Sequence, residues 1–280
     1  MSYKTIIVHV DDSPGSEARV AVAAAIANEE NAHLIGAATT GVSQVIYRST
    51  VAEMGEGYIM AYIDTLRQRA EEGLQMFDAL TRQLGVASVE QRFIDEETAE
   101  GFSLHARYCD LSILGQTDRD APADVMGHNF PEVVAFHAGC PVLIVPYGGA
   151  FDGFPRNAVI AWDGGTQARR AVHDALPLLQ RASVVDLAVF NAFERPDVHG
   201  PLPGVDIALY LGRHDVTVVI RDCTVEHDDI GPALLSLMAE ADADLLVMGC
   251  YGHSRLREIL LGGVTRKILS SMTVPVLMSH

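Results

Sequence analysis

The chain contains an internal repeat, and this repeat constrains the fold more than any other feature of the sequence. Residues 109–145 align with residues 243–279 without a gap, at an offset of 134 positions that places Gly115 on Gly249. The repeated block begins far from the start of each copy, so a whole copy is about as long as an ordinary domain. The sequence therefore predicts two similar domains in tandem.

The front ends of the two copies also match, which allows the domain boundaries to be placed. Residues 7–12 resemble residues 159–164 at an offset of 152 positions, so the second copy is shorter in its middle. A stretch rich in glycine and proline, residues 147–156, separates the copies and is typical of a linker. We predict one domain over residues 1–148 and a second over residues 155–280.

Each copy alternates short apolar runs with stretches that favour helices. Residues 5–10 and 245–248 are typical of buried strands, and residues 16–28, 130–137 and 166–179 have helical composition. Buried apolar strands that alternate with helices indicate a parallel sheet covered on both faces. Since crossover connections are right-handed, the expected class is α/β, with two tandem doubly wound parallel sheets.

Composition narrows the classes of function. Hydrophobic residues make up 49% of the chain and charged residues 20%, which excludes an intrinsically disordered protein. The net charge of −17 argues against nucleic acid or an anionic membrane surface as the main partner. A small phosphate ligand is still compatible with this charge, because glycine-rich loops bind phosphate through backbone N–H groups.

The expected location is the cytoplasm. No apolar run reaches the length of about 18 residues that a membrane-spanning helix requires. The apolar stretch near the first residues is too short for a signal peptide. The four cysteines show no C-x-x-C spacing, which fits a soluble protein of a reducing compartment.

A glycine pattern in the second copy is the most specific candidate for a binding site. Gly249-Cys250-Tyr251-Gly252 is followed, after nine residues, by Gly262-Gly263-Val264-Thr265. The pattern starts at the end of an apolar strand and finishes where a helix is predicted to begin. A single glycine there would more often only make a turn. Several glycines in this place favour a loop whose N–H groups converge on an anion, with the helix N-terminus adding its own.

These residues resemble the universal stress proteins in their tandem two-domain form. Nucleotide-binding members of that family carry G-x2-G-x9-G followed by Ser or Thr, and Gly249, Gly252 and Gly262 occupy the glycine positions here. The strand-ending acids in VHVDDSPGSEA and IAWDGGTQA are similar to the family as well. The resemblance covers nearly the whole chain. It implies a Rossmann-like, five-stranded sheet of order 3-2-1-4-5 in each domain and a regulatory, nucleotide-binding role in the stress response.

The resemblance also implies which residues hold the nucleotide. In the family, ATP lies at the ends of strands 1 and 4, so Asp163 would lie beside the adenine or ribose. Met248 and the glycine loop would line the adenine, ribose and phosphates. The implied nucleotide-binding set is Trp162, Asp163, Met248, Gly249, Gly252, His253, Gly262, Gly263, Val264 and Thr265. The implied ligand is ATP or AMP, with or without Mg²⁺, and no protein metal site or catalytic residue is expected.

Two departures from the family pattern affect this expectation. Gly263 stands where the family has Ser or Thr, which removes a hydroxyl hydrogen bond of about 1 kcal/mol unless Thr265 supplies another. In the first copy the loop is lost, because Asp118 stands at the position of Gly252. We therefore expect one nucleotide site, in the second domain, and a degenerate first domain with a structural role.

Other functions are alternatives at this point. The same site would suit a slow ATPase or a protein that binds a different small ligand. No Ser-His-Asp order, H-E-x-x-H or paired-acid motif is present, so at most weak ATP hydrolysis is expected. His9 and Asp11 share a strand face, which favours a hydrogen bond at the strand end over a metal site. Cys250 lies near a predicted helix start, a position that would lower the pKa of its thiol.

The last strand of each copy predicts how the two domains assemble. These strands, residues 141–145 and 274–278, are short and apolar. In a sheet of order 3-2-1-4-5 they lie at the edge, where unpaired N–H and C=O groups favour association. We expect the two edges to pair within the chain as a pseudo-dimer, and a homodimer of whole chains is the alternative.

Overall fold

The chain divides into two units, Ser2–Ala150 and Phe151–His280, called the N-terminal and C-terminal units below. The structure, a computed structural model, describes residues 2–41, 56–117, 129–149, 151, 154–194, 196–199, 201–250 and 263–280. Within these ranges each unit contains five adjacent parallel strands connected by helices.

In the N-terminal unit the strands have the lateral order β3-β2-β1-β4-β5, and all neighbours are parallel. The strands are β1 (Thr5–His9), β2 (His33–Thr39), β3 (Val89–Ile94), β4 (Leu111–Gly115) and β5 (Val142–Val145). The helices are α1 (Ser16–Glu30), α2 (Glu56–Gln83), α3 (Thr98–Ala106) and α4 (Phe130–His137).

Helices cover both faces of these strands, which explains why the strands are continuous apolar runs. On one face, Gly36 of β2 leaves room for the ring of Phe77 from α2, which would lie 2.6 Å from a Cβ at that position. On the other face, His9 at the end of β1 contacts the rings of Phe102 and Phe130, at centroid distances of 5.8 and 4.8 Å. The end of β1 is therefore enclosed by α3 and α4 on that side.

In the C-terminal unit the order is β10-β9-β6-β7-β8, again with parallel neighbours. The strands are β6 (Asn157–Trp162), β7 (Val184–Phe190), β8 (Val219–Cys223), β9 (Leu245–Gly249) and β10 (Val276–Ser279). The helices are α5 (Thr166–Asp174), α6 (Leu176–Leu179), α7 (Pro196–His199), α8 (Val205–Gly212), α9 (Ile230–Glu240) and α10 (Gly263–Ser271). Two 3-10 turns cover Ala192–Glu194 and His227–Asp229.

One predicted helix of this unit differs from the structure. The helix predicted over residues 166–179 is broken into α5, which ends at Asp174, and α6, which begins at Leu176. Pro177 lies in the first turn of α6, where its missing N–H costs no hydrogen bond but would interrupt a longer helix. The single turn α7 was not predicted, because four residues are too few for a periodic pattern.

The first strand of each unit lies between two other strands of that unit, the second on one side and the fourth on the other. β1 pairs with β2 on one side and with β4 on the other, and β6 pairs with β7 and β9. The predicted α/β class and the strand order 3-2-1-4-5 are thus confirmed in both units. Doubly wound folds bind ligands at the carboxyl ends of the strands where the order reverses. The strand ends β1/β4 and β6/β9, called the reversal points below, are therefore the candidate sites.

Candidate functional site

The reversal point of the C-terminal unit brings four of the predicted binding residues together. Trp162 ends β6 and Asp163 follows it, while Met248 and Gly249 end the neighbouring strand β9. Ala161 is paired with Met248, so the two strand ends lie side by side. Met248 is buried and Trp162 is half-buried, whereas Asp163 is exposed. The carboxylate is therefore open to solvent next to buried apolar side chains.

A glycine turn sets the direction of the Asp163 side chain. The backbone N–H of Gly165 donates to Asp163 Oδ1 at 2.8 Å. Gly164 has a φ of 72°, in the left-handed region that favours glycine. A Cβ at Gly165 would lie 2.9 Å from Asp163 Oδ1. The Asp-Gly-Gly sequence after β6 therefore suits a carboxylate that folds back over its own turn.

Gly249 is required by the packing of helix α5. A Cβ added at Gly249 would lie 2.4 Å from the backbone N of Ala168 and 2.6 Å from the carbonyl carbon of Gln167. Both atoms belong to the first turn of α5, which starts at Thr166. The first glycine of the predicted loop thus has a structural role of its own, and its part in binding is a separate proposal.

The predicted phosphate end of the site falls at the start of α10. Because β9 and β10 are parallel, the helix that connects them runs back along the strands and begins at the edge where they end. Gly263 is exposed, and a Cβ there would meet no atom of the described residues within 4 Å, whereas Val264 is half-buried and Thr265 is buried. Burial favours Gly263 over Thr265 as the position that faces a ligand. Gly252, His253 and Gly262 lie outside the described residues.

At the reversal point of the N-terminal unit, Asp11 has the position of Asp163 but is engaged by its own chain. Arg19 Nη2 donates to Asp11 Oδ1 at 2.8 Å, and Ser13 Oγ donates to the same oxygen at 2.5 Å. His9 Nδ1 lies 3.4 Å from Asp11 Oδ2. The exposed fraction is 15% for the Asp11 side chain and 4% for that of Arg19. This carboxylate is mostly buried, whereas Asp163 is exposed.

Burial and ion pairing set the protonation states of this cluster. Burial lowers the pKa of His9, and Arg19 acts in the same direction although Asp11 opposes it, so the imidazole is neutral at pH 7. Burial by itself would raise the pKa of Asp11, but the Arg19 guanidinium and the contacts with His9 and Ser13 hold it well below its ordinary value. The cluster therefore holds one ion pair and one neutral imidazole.

A small cavity adjoins this cluster, between the ends of β1 and β2 and the helices α2 and α3. Its volume is about 40 Å³. A water molecule needs roughly 10–15 Å³ on this measure, so the cavity has room for about three waters and not for a nucleotide. It is lined by His9, Val10, Asp11, Asp12, Thr39, Thr40, Leu66, Arg69, Ala70 and Thr98.

We expect the N-terminal unit to lose stability as the pH falls from 7 to 5. The pKa of folded His9 lies below its ordinary value of 6.5, so the unfolded chain takes up a proton that the folded unit excludes. The stabilisation present above pH 6.5 is therefore lost as the pH falls. Urea unfolding followed by circular dichroism at both pH values measures this. His9→Gln should reduce the pH dependence, and an equal dependence in both chains would contradict the assignment.

The expectation for Cys250 is wrong. Its side chain is buried, and the thiol donates to the carbonyl of Ser279 at 3.4 Å. Burial raises the pKa of the thiol to about 12 instead of lowering it. Proximity to a helix start in the sequence did not reveal that the side chain is enclosed at the β9–β10 strand ends.

Cys250 should consequently be inert in the folded chain. We expect iodoacetamide at pH 8 to modify it at least about tenfold more slowly than in urea, because only the thiolate reacts and burial suppresses it. Peptide mass spectrometry resolves Cys250 from Cys223, which is only half-buried and serves as the internal comparison. Equal rates for Cys250 in the folded and unfolded chain would disprove the prediction.

Neither a metal cluster nor a membrane-spanning helix occurs in the part of the chain that the structure describes. No group of three or more His, Cys, Asp or Glu side chains is placed there to hold a metal ion. None of the helices in that part is both long enough and apolar enough to cross a membrane.

The sequence of each unit matches a known protein family. The model of the universal stress protein family matches residues 2–146 and again residues 155–280, and the chain belongs to this family, in its tandem form. Universal stress proteins of Mycobacterium bovis and Mycobacterium tuberculosis are each 26% identical to it over 184 residues. The match covers 61% of this chain and 62% of those relatives, which is less than two thirds of their length.

Solved structures agree with this fold. A universal stress protein from Archaeoglobus fulgidus has a TM-score of 0.72 at 16% identity, covering 98% of this chain and 97% of that one. A functionally unknown protein from Pseudomonas aeruginosa has a TM-score of 0.57 at 15% identity, covering 99% and 92%. At these identities the likeness shows the fold and leaves the ligand to be argued from the site.

Proposed function

We propose that the C-terminal unit binds one adenine nucleotide, ATP or AMP, and that the N-terminal unit binds none. The contrast between two equivalent acids carries the proposal. Asp163 is exposed beside a glycine strand end, whereas the Asp11 side chain is only 15% exposed. The protein would then act in the stress response as a regulatory module that reports the nucleotide bound at one of its two units.

The residues at the β6/β9 reversal point would suit the ribose, the base and the phosphates of a nucleotide. The Asp163 carboxylate would accept hydrogen bonds from the ribose hydroxyls or the adenine amino group. The thioether of Met248, beside it in the strand pair, would contact the base. The first N–H groups of α10 would face the phosphates, because no side chain of the described residues would meet a Cβ at Gly263 and the helix N-terminus favours negative charge.

The single tryptophan of the chain provides a local test. Trp162 directly precedes Asp163, so we expect its fluorescence to change when AMP or ATP binds, and calorimetry to give one site per chain. Asp163→Asn should weaken binding by about ten- to hundredfold, the value of a hydrogen bond to a charged group. Asp206→Asn changes an exposed acid of α8 and is the matched control, with unchanged affinity.

Three other outcomes decide between this function and its alternatives. Two equivalent sites, or no binding at millimolar nucleotide, would contradict the proposal. Phosphate released during incubation with ATP would favour a slow ATPase at the same site. A different small molecule that co-purifies with the chain, identified by mass spectrometry, would replace the nucleotide as the ligand.

Gly263→Ser should tighten nucleotide binding by up to about tenfold, the value of one charge-assisted hydrogen bond. The added Cβ would meet no atom of the described residues within 4 Å, so the hydroxyl can be added without displacing α10. Gly263→Ala adds the Cβ without the hydroxyl and should leave the affinity unchanged. If both variants bind alike in a titration, the missing hydroxyl is not what limits the affinity.

A further inference from the structure

We propose that the guanidinium of Arg19 is a built-in ligand of the N-terminal unit, which occupies its reversal point and closes it to other molecules. Arg19 is 3% exposed and is the only Lys or Arg among the buried side chains of the described ranges. A long cationic side chain is rarely buried unless its charge is paired.

The guanidinium is held by groups of β1, of the segment that follows β1, and of α1. Nε donates to the carbonyl oxygen of His9 at 2.7 Å. Nη2 donates to Asp11 Oδ1 at 2.8 Å and to Ser16 Oγ at 3.2 Å. Nη1 lies against Gly115, 2.3 Å from where a Cβ of that residue would be. The guanidinium thus extends from the end of β1 to the end of β4, the two strands that flank the reversal point.

The C-terminal unit has an arginine at the equivalent helix position, but its guanidinium lies elsewhere. Arg19 and Arg169 are each the fourth residue of their helix, in the matching stretches Ser16-Glu17-Ala18-Arg19 and Thr166-Gln167-Ala168-Arg169. Arg169 is exposed with its guanidinium 4.4 Å from the centre of the Tyr210 ring, and in that unit the backbone of α5 packs directly against Gly249. In the N-terminal unit the guanidinium, not the helix backbone, fills the space beside the equivalent glycine.

Arginine suits this role for two reasons. Its planar fork can donate to a carboxylate and a carbonyl at the same time, and its charge is permanent. The Asp11 oxygen that accepts from the guanidinium is already occupied, and the neighbouring cavity of about 40 Å³ has no room for a base. The Arg19 side chain therefore occupies this reversal point at every ligand concentration. That only the C-terminal unit responds to a ligand rests on the function proposed above, whereas the closure itself does not.

Chemical rescue tests the closure without any nucleotide. In the full-length Arg19→Ala chain the Tm of the N-terminal unit should fall by about 10 °C, because a buried carboxylate loses its partner. Ethylguanidinium at about 10 mM, far below denaturing concentrations, should bind in the vacated space and restore part of the loss. Ethylammonium, which has the charge without the planar fork, should restore less. The wild-type chain and Arg82→Ala, which breaks an ion pair of a 75% exposed arginine, should show no rescue.

The results that would overturn the proposal are specific. An unchanged Tm in Arg19→Ala, or a lowered Tm that ethylguanidinium does not raise more than ethylammonium does, would exclude a guanidinium site. If Arg19→Ala does not fold by itself, circular dichroism shows whether either cation restores its folding, and a failure of ethylguanidinium to do so better than ethylammonium would exclude the site. Loss of the proposed nucleotide site would leave these outcomes unchanged, so the two proposals fail separately.

Discussion

Arg19→Met should lower the free energy of unfolding of the N-terminal unit by about 3–5 kcal/mol, the usual cost of breaking a buried ion pair from one side. Methionine keeps most of the side-chain length but leaves Asp11, whose side chain is only 15% exposed, without its charge partner. The adjacent His9 cannot replace the guanidinium at pH 7, because burial lowers its pKa.

Two spectroscopic signals separate the units in this measurement. Trp162 lies in the C-terminal unit, so its fluorescence reports that unit, while circular dichroism reports both. In urea the variant should show a new early transition by circular dichroism. Adding Asp11→Leu should recover much of the loss, since a buried ion pair replaced on both sides by apolar groups is often neutral. Arg82→Met is the surface control and should cost less than about 1 kcal/mol; an equal loss in both arginine variants would refute the assignment.

Gly249→Ala should lower the free energy of unfolding of the C-terminal unit by about 3 kcal/mol. The new Cβ would lie 2.4 Å from a backbone atom of α5, so the helix must move away from β9, and no side chain can yield instead. Urea unfolding followed by the fluorescence of Trp162 measures this. Gly263→Ala adds the same atom where no described residue lies within 4 Å of it, and should change the stability by no more than about 1 kcal/mol.

The stability of Gly249→Ala also decides how a loss of nucleotide binding in that variant is interpreted. A Gly249 variant that no longer binds nucleotide would not by itself place the glycine at the phosphates, because displacement of α5 has the same effect. Binding and stability must therefore be measured on the same protein. Wild-type stability in Gly249→Ala would show that α5 is not held against β9. Ligand binding would then be the only role proposed for Gly249.

The fold class followed from local patterns. The apolar runs that became β1 and β9, and the helical composition of α4, depend on neighbours within a few residues, so their types could be predicted. The break between α5 and α6 was also visible in the sequence, as Pro177, but helical composition outweighed it in the prediction. The strand order came from the family resemblance, and in the structure the pairing of β6 with β9 places the end of β6, which Asp163 follows, beside the end of β9, which carries Gly249.

The sequence by itself determined that there are two copies, that each is a doubly wound α/β unit, and that the acid and the glycines of the second copy are the candidate site. Only the tertiary structure decided that Asp163 is exposed and that Asp11 is mostly buried. Arg19 contacts Asp11, which is close to it in the sequence, but it also lies against Gly115, which is nearly a hundred residues away. Cys250 is buried by a strand that follows it much later in the sequence. Occupancy and burial at a strand end depend on such distant contacts, and no local pattern of residues encodes them.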